Sequence, residues 1–150
     1  MPTPATIADI DAAWLADALG ADLDSIDVHP IAAGEGFMGQ LARVSIVSSS
    51  PDVPRSVIVK LPTADPGGRA MGEMMRVWER EHHFYRDIAA QLNIRVPTAY
   101  VNTLDPPCLV LEDLAPAVPG DHLAGATRAQ AERSIDLLAR PHGAWFEHAS

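Results

Sequence analysis

The sequence contains little lysine, cysteine and aromatic residue, and it has no excess of positive charge. With a net charge of −9 and a pI near 4.9, the chain lacks the basic surface that nucleic-acid phosphates require, so nucleic acid is not expected as a partner. No apolar run approaches the roughly 20 residues of a membrane helix, and no early segment has the pattern of a secretion signal. We therefore expect a soluble, cytoplasmic protein that does not bind a membrane.

Cysteine and lysine each occur once in the sequence, and the position of each is informative. Cys108 is the single cysteine, so an intrachain disulfide is excluded, and its apolar neighbours predict a buried, unreactive thiol. Lys60 is the one lysine among eleven basic residues. Because this chain uses arginine for nearly all of its positive charge, its one lysine is a candidate for chemistry that arginine cannot perform. The alternative is that the composition arose by chance.

The rest of the composition is that of an ordinary globular domain. A chain of 150 residues, 47% of them hydrophobic, is long enough to bury a core, and we expect a single domain. The six histidines do not combine with carboxylates or cysteines at ligand spacing, so no metal site is expected. The chain also lacks the P-loop lysine motif and the G-x-S-x-G elbow, which leaves hydrolase functions little support.

Apolar periodicity predicts an α+β fold with an antiparallel sheet of about five strands. The predicted strands are residues 26–31, 41–47, 57–61, 98–103 and 108–111. The predicted helices are residues 7–19, 69–92 and 127–140. The domain thus divides into an amino-terminal helix, the sheet with its central helix, and a loop with a final helix. These parts are residues 1–25, 26–114 and 115–150.

Polar residues and a proline mark the predicted helix ends. Thr6 with Asp9, and Thr127 with Gln130, have the spacing of capping boxes. Pro141 lacks an N–H, and its ring would clash with the carbonyl four residues earlier, which costs roughly 3 kcal/mol in a continuous helix. We therefore expect a kink or a break at Pro141.

The peptide GEGFMG at residues 34–39 lies between the first two predicted strands. Its glycines, Gly34, Gly36 and Gly39, have the G-x-G-x-x-G spacing. In dinucleotide-binding proteins this pattern leads from a strand into a helix, whereas in kinases it bridges a hairpin and covers ATP phosphates. A strand on each side favours the kinase interpretation, and a flexible turn without a ligand stays as the alternative.

Lys60 ends an otherwise apolar strand, where a buried charge without a partner would cost several kcal/mol. We expect Glu81 to be its partner. Glu81 lies three residues after Trp78 and four before Tyr85, so it projects from the apolar face of its helix. A lysine on the third strand paired with a glutamate on the next helix holds ATP phosphates in kinases. The alternative is a lysine that reaches solvent at a sheet edge.

The peptide LVLEDL at residues 109–114 is a predicted buried strand that leads into a segment rich in proline and glycine. In a kinase this position is the hinge, where backbone groups rather than side chains bind adenine. The alternative is that Glu112 and Asp113 are solvated acids of a loop.

Together these motifs resemble the aminoglycoside phosphotransferase and choline-kinase-like group, in particular its ecdysteroid-kinase-like and bacterial phosphotransferase members. The matching peptides, in the order of the family, are GEGFMG, VKLP, EHHFYR, LVLEDL and PGD. The resemblance implies a protein-kinase-like amino-terminal lobe in which glycines cover the ATP phosphates, an ion pair holds them and the hinge holds adenine. The residues that it assigns to the nucleotide are Gly34, Gly36, Gly39, Lys60, Glu81, Glu112 and Leu114.

The resemblance also implies transfer of the ATP γ-phosphate to a hydroxyl of a small molecule, yet the residues for that transfer are missing. No H-x-D-x-x-x-x-N arrangement supplies the catalytic aspartate, the asparagine or the magnesium ligands of kinases. We therefore assign no catalytic residue. We expect magnesium only with a further lobe, and interpret the chain as a truncated or decayed gene product or a fragment.

Three hypotheses follow. The first is a nucleotide-binding lobe that is inactive alone. The second is a non-catalytic interaction module, in which the apolar face left by the missing lobe binds a partner or a second copy. The third is an unrelated α+β domain, which predicts that Lys60 and Glu81 lie far apart. The sequence does not distinguish aminoglycoside, choline, homoserine-like and steroid hydroxyls as acceptors.

Overall fold

The computed structural model describes residues 2–31, 38–118, 120 and 123–146. Five antiparallel strands form one sheet in the order β1-β2-β3-β5-β4, which confirms the predicted α+β class. The strands are β1 (Ser25–Ile31), β2 (Gly39–Val47), β3 (Ser56–Pro62), β4 (Ala99–Leu104) and β5 (Pro107–Glu112). Each lies within a few residues of the strand predicted from the sequence.

One face of the sheet holds the hydrophobic core. Successive side chains of a strand point to opposite faces, so alternate residues of β2, β3 and β5 meet here. The core side chains of the sheet are Ala42, Val44, Ile46, Val57, Val59, Leu61, Cys108 and Val110. Helix α1 (Ala12–Leu19) contributes Trp14 and Leu15 to the same core cluster. Burying one large aliphatic side chain contributes about 1.5–3 kcal/mol, so this face supplies much of the driving force for folding.

The opposite face of the sheet carries the other set of alternate residues. The strand register places Leu41 beside Lys60, and Ile58 beside Leu111. Lys60 therefore shares a face with three apolar side chains and lies away from the core. This face holds the candidate site.

The first helix is shorter than predicted. Residues Ile7–Asp9 form a 3-10 turn, and α1 begins only after Asp11, whose carboxylate accepts a hydrogen bond from the Trp14 N–H at 2.7 Å. Asp9 does bind the Thr6 N–H, at 2.9 Å, as the capping-box spacing predicts. The second cap at Asp11 restarts the helix, because an extended residue between the two caps interrupts the backbone ladder.

The central helix predicted over residues 69–92 is wrong as a continuous element. It consists of α2 (Pro66–Met74), α3 (Val77–His83), a π turn (Phe84–Ile88) and a 3-10 turn (Ala89–Gln91). The break falls at Arg76, whose φ of 53° is left-handed. Beyond this break the Trp78 ring packs on Gly72, where an added Cβ would lie 2.7 Å from the ring. This contact requires a glycine in α2.

The last helix, α4 (Arg128–Phe146), begins as predicted. Gln130 Oε1 accepts from the Thr127 N–H at 2.8 Å, and Thr127 Oγ1 accepts from the Gln130 N–H at 3.3 Å. The helix continues past Pro141, so of the expected kink or break the break is wrong, while the kink stays a prediction. Side chains along α4 are exposed up to Arg140, so water reaches this helix and can satisfy a carbonyl that the proline leaves unpaired.

Candidate functional site

An ion pair between β3 and α3 forms the centre of the site. Lys60 Nζ donates to both carboxylate oxygens of Glu81, at 2.8 and 2.6 Å. The side chains are 27% and 24% exposed, so water reaches the pair while the surrounding protein strengthens the attraction. The two alternatives, a lysine directed only to solvent and an unrelated domain with the two residues far apart, are both wrong.

Contacts of the neighbouring residues hold α3 against the sheet edge. His82 follows Glu81, and its Nδ1 donates to Asn102 Oδ1 of β4 at 2.9 Å. Asn102 Nδ2 donates in return to the His82 carbonyl at 3.0 Å. Burial raises the pKa of Tyr85, and the Glu81 carboxylate raises it further. Sequence reasoning missed Asn102, for which a polar residue in a strand was the only signal.

A small hollow beside the ion pair is lined by Trp78, Pro107, Cys108 and Leu109, among others. Cys108 is buried, as predicted, and burial raises the pKa of its thiol to about 11. The thiol is therefore almost entirely protonated at neutral pH and contributes no thiolate to the site.

The last glycine of the GEGFMG peptide lies against the ion pair. Gly39 begins β2, and a Cβ added to it would lie 3.9 Å from Lys60 Cε. Gln40 Nε2 donates to the Pro62 carbonyl at 2.8 Å, which fastens this end of the hairpin to β3. Gly34 and Gly36 lie outside the described residues, so their predicted role stays a prediction. Sequence reasoning did not single out Gln40.

The segment after β5 has its acidic side chains engaged by protein groups. Glu112 pairs with Arg95 and accepts the Thr98 N–H at 3.0 Å, and the hydrogen bond from Arg95 is the main cause that lowers the pKa of Glu112. Leu114 accepts the Ala117 N–H through its carbonyl at 2.9 Å. The Glu112 carboxylate is therefore engaged by protein groups, and so are the Glu112 N–H, which donates to the Thr98 carbonyl at 2.8 Å, and the Leu114 carbonyl.

Asp113 is buried and paired, so its interpretation as a solvated loop acid is wrong. Its side chain is 3% exposed and accepts hydrogen bonds from Arg43 Nε at 2.7 Å and from Ser56 Oγ at 2.8 Å. Burial alone would raise the pKa of Asp113, but these hydrogen bonds outweigh it and hold the pKa below its ordinary value. Sequence reasoning missed Arg43, although it interrupts an apolar strand as Lys60 does.

An open apolar hollow lies on the same face of the sheet as Lys60, and Arg43 and Asp113 are among the residues that line it. The hollow lies between Arg43 and the segment after β5, and its lining is mostly aliphatic. The larger aliphatic residues that line it are Ile31, Leu41, Ile58, Leu111, Leu114 and Val118. Ile58 and Lys60 are two residues apart on one face of β3, so their Cα atoms are about 7 Å apart along the strand.

The residues that the structure describes also bear on a metal site and on a membrane span. Within this part of the chain, no group of three or more histidine, cysteine or acidic side chains is placed to hold a metal ion. No helix among the same residues has the length and apolar character needed to cross a membrane.

A five-stranded antiparallel sheet, with a lysine of its third strand paired to a glutamate of a following helix, defines the amino-terminal lobe of a kinase-like fold. The chain belongs to the ecdysteroid kinase-like family, whose sequence profile matches residues 33–147. This family is related to choline kinases and aminoglycoside phosphotransferases. A comparison with curated proteins finds no match to the chain.

Proposed function

We propose that this chain is the ATP-binding lobe of a kinase-like phosphotransferase and that it transfers no phosphoryl group on its own. The observation that carries the proposal is the Lys60–Glu81 ion pair at the end of an apolar sheet face. Kinases use this combination to bind the phosphates and the base of one nucleotide.

The apolar hollow suits a purine base. Its aliphatic side chains offer an apolar surface, and residues of the chain after β5 also line it. Within the described part of the chain, the Leu114 N–H has no protein acceptor, so it is available to donate to a ring nitrogen of adenine. The Glu112 N–H already donates to the Thr98 carbonyl at 2.8 Å, so the contact that the resemblance assigns to Glu112 would be made by its carbonyl.

Lys60 is arranged to bind phosphate oxygens. An ammonium group has three N–H donors, and the two Glu81 oxygens occupy two of them, which leaves one for the nucleotide. Gly39 lies beside the lysine, since a Cβ added to it would be in van der Waals contact with Lys60 Cε at 3.9 Å. Gly34 and Gly36, which precede Gly39 in the GEGFMG peptide, would cover the phosphates.

Phosphoryl transfer requires groups beyond these. A kinase needs an aspartate that orients the acceptor hydroxyl and further side chains that hold magnesium. Asp113 does not fit this role, because Arg43 and Ser56 already occupy its carboxylate. We therefore propose that magnesium and the small-molecule acceptor bind only where another polypeptide segment supplies these groups.

Calorimetry with ATP and magnesium tests the proposal. Lys60→Met is expected to weaken ATP binding about 10- to 100-fold, because a hydrogen bond to a charged group contributes about 1.5–3 kcal/mol. Arg133→Met on exposed α4 removes the same charge elsewhere and should leave the affinity within about twofold. If Lys60→Met binds ATP as tightly as the unaltered chain, the proposed site is wrong.

A second candidate function is an interaction module. The apolar side chains Ile135, Leu138 and Phe146 of α4 are exposed, and such a surface is typical of a binding face. On this candidate function, the purified chain is expected to self-associate or to bind a hydrophobic dye at this helix. A monomer mass independent of concentration in light scattering, without dye binding, would contradict it.

A further inference from the structure

We propose that Arg43, Ser56 and Asp113 form a clasp that positions the adenine-binding backbone after β5. The clasp rests on the proposed nucleotide site and adds positioning residues to it. None of its side chains needs to touch the nucleotide.

The contacts of the clasp saturate one buried carboxylate. Arg43 donates through Nε and Nη2 to the two oxygens of Asp113, at 2.7 and 3.2 Å. Ser56 Oγ donates at 2.8 Å and the Ala115 N–H at 3.1 Å. A carboxylate has about four lone-pair directions, and these donors use them all. The carboxylate is therefore held in one orientation.

The clasp holds the first residue after the pairing between β3 and β5 ends. The register between β3 and β5 ends at the Val57 and Glu112 pair, and Asp113 is the next residue. Asp113 thus lies between the two residues whose backbone would bind adenine. Fixing its side chain to β2 and β3 fixes the peptide groups on both sides of it.

This arrangement removes a cost from ligand binding. A free loop after β5 would have to lose conformational entropy when the base binds, and that loss weakens affinity. The clasp orders the segment during folding instead. Because Arg43 and Lys60 lie on the same sheet face, the clasp also sets the distance between the base and the phosphates.

Asp113→Asn tests the clasp, because it replaces one accepting oxygen by an amide donor opposite Arg43. We expect ATP affinity to fall about 10-fold or more, while tripolyphosphate, which lacks the base, stays within about twofold. Hydrogen exchange of the free protein should accelerate at residues 113–117 and not across the sheet. Glu132→Gln, in an exposed ion pair of α4, makes the matched change of charge and should alter neither measurement.

The outcomes separate the clasp from the proposed function. Unchanged ATP affinity and unchanged exchange in Asp113→Asn would overturn the clasp and leave the nucleotide site standing. An equal loss of ATP and tripolyphosphate affinity would also overturn it, since that result reports general damage. If the unaltered chain binds no ATP, the proposed function and the clasp both fail. Should Asp113→Asn not fold, Arg43→Lys, which keeps the charge and loses the paired geometry, is expected to show the same selective loss.

Discussion

Exchanging the charges of the ion pair, by Lys60→Glu together with Glu81→Lys, is expected to recover the folding stability that either single reversal loses, but not the ATP affinity. A single reversal places two like charges about 3 Å apart in a partly buried setting, which we expect to destabilise the fold by about 1–3 kcal/mol. The double exchange restores opposite charges at the same two positions. The stability of the pair depends on their attraction and not on which strand or helix carries each sign.

The proposed nucleotide binding, by contrast, would depend on the sign of the charge at each position. In the double variant a carboxylate projects from β3 toward the expected phosphates, and the attraction of Lys60 becomes repulsion. We expect ATP affinity to fall about 100-fold or more, a loss equal to about 2.7 kcal/mol. The experiment therefore separates the structural role of the pair from its proposed role in binding.

Denaturant unfolding and calorimetry on the three variants measure the two effects. The exchanged pair Arg128→Glu with Glu132→Arg is the control, because that exposed pair on α4 should change stability by less than about 0.5 kcal/mol. ATP affinity retained by the double variant would contradict the phosphate role of Lys60. If the double variant is as unstable as the single variants, side-chain packing rather than charge determines the contribution of residues 60 and 81 to stability.

Leu15→Ala is expected to destabilise the fold by about 2–5 kcal/mol, which is a large part of the stability of a small domain. Leu15 is fully buried in α1 against the core face of the sheet. Truncation removes buried surface and leaves a cavity, because neighbouring strands relax only partly. The family match begins at residue 33, so α1 lies outside it, and the variant tests whether this helix belongs to the folded domain.

Thermal or denaturant unfolding measures the loss, with Leu138→Ala as the control. Leu138 is also in a helix but is exposed, so its truncation should change stability by less than about 0.5 kcal/mol. An effect of Leu15→Ala no larger than that of the control would mean that α1 does not cover the core in solution.

Local patterns were sufficient for the strands and for the central ion pair. Alternation along β3 places Val57 and Val59 on one face and Lys60 on the other. The position of Glu81 within an apolar helical stripe indicates that it faces the protein, and the structure pairs it with Lys60. In both cases the face to which a side chain points depends on the repeat of the strand or helix, so a few neighbouring residues are enough to predict it.

The same reasoning failed where a distant contact decided the local structure. Met71, Met74 and Met75 continue the helical spacing, yet they are exposed and the chain breaks after them. The break coincides with the left-handed backbone at Arg76 and with the packing of Trp78 on Gly72, and periodicity encodes neither. At Pro141 the local rule predicted a kink or a break, and the helix continues without the break.

The sequence by itself determined the α+β class, the strands, the kinase-like resemblance and the residues of the ion pair. Only the tertiary structure decided that Asp113 meets Arg43, a residue 70 positions earlier in the chain. That contact requires β3 to lie between β2 and β5, with Ser56 completing the clasp from the middle strand. Strand order and register follow from the packing of the whole sheet, whereas side-chain periodicity follows from neighbouring residues alone.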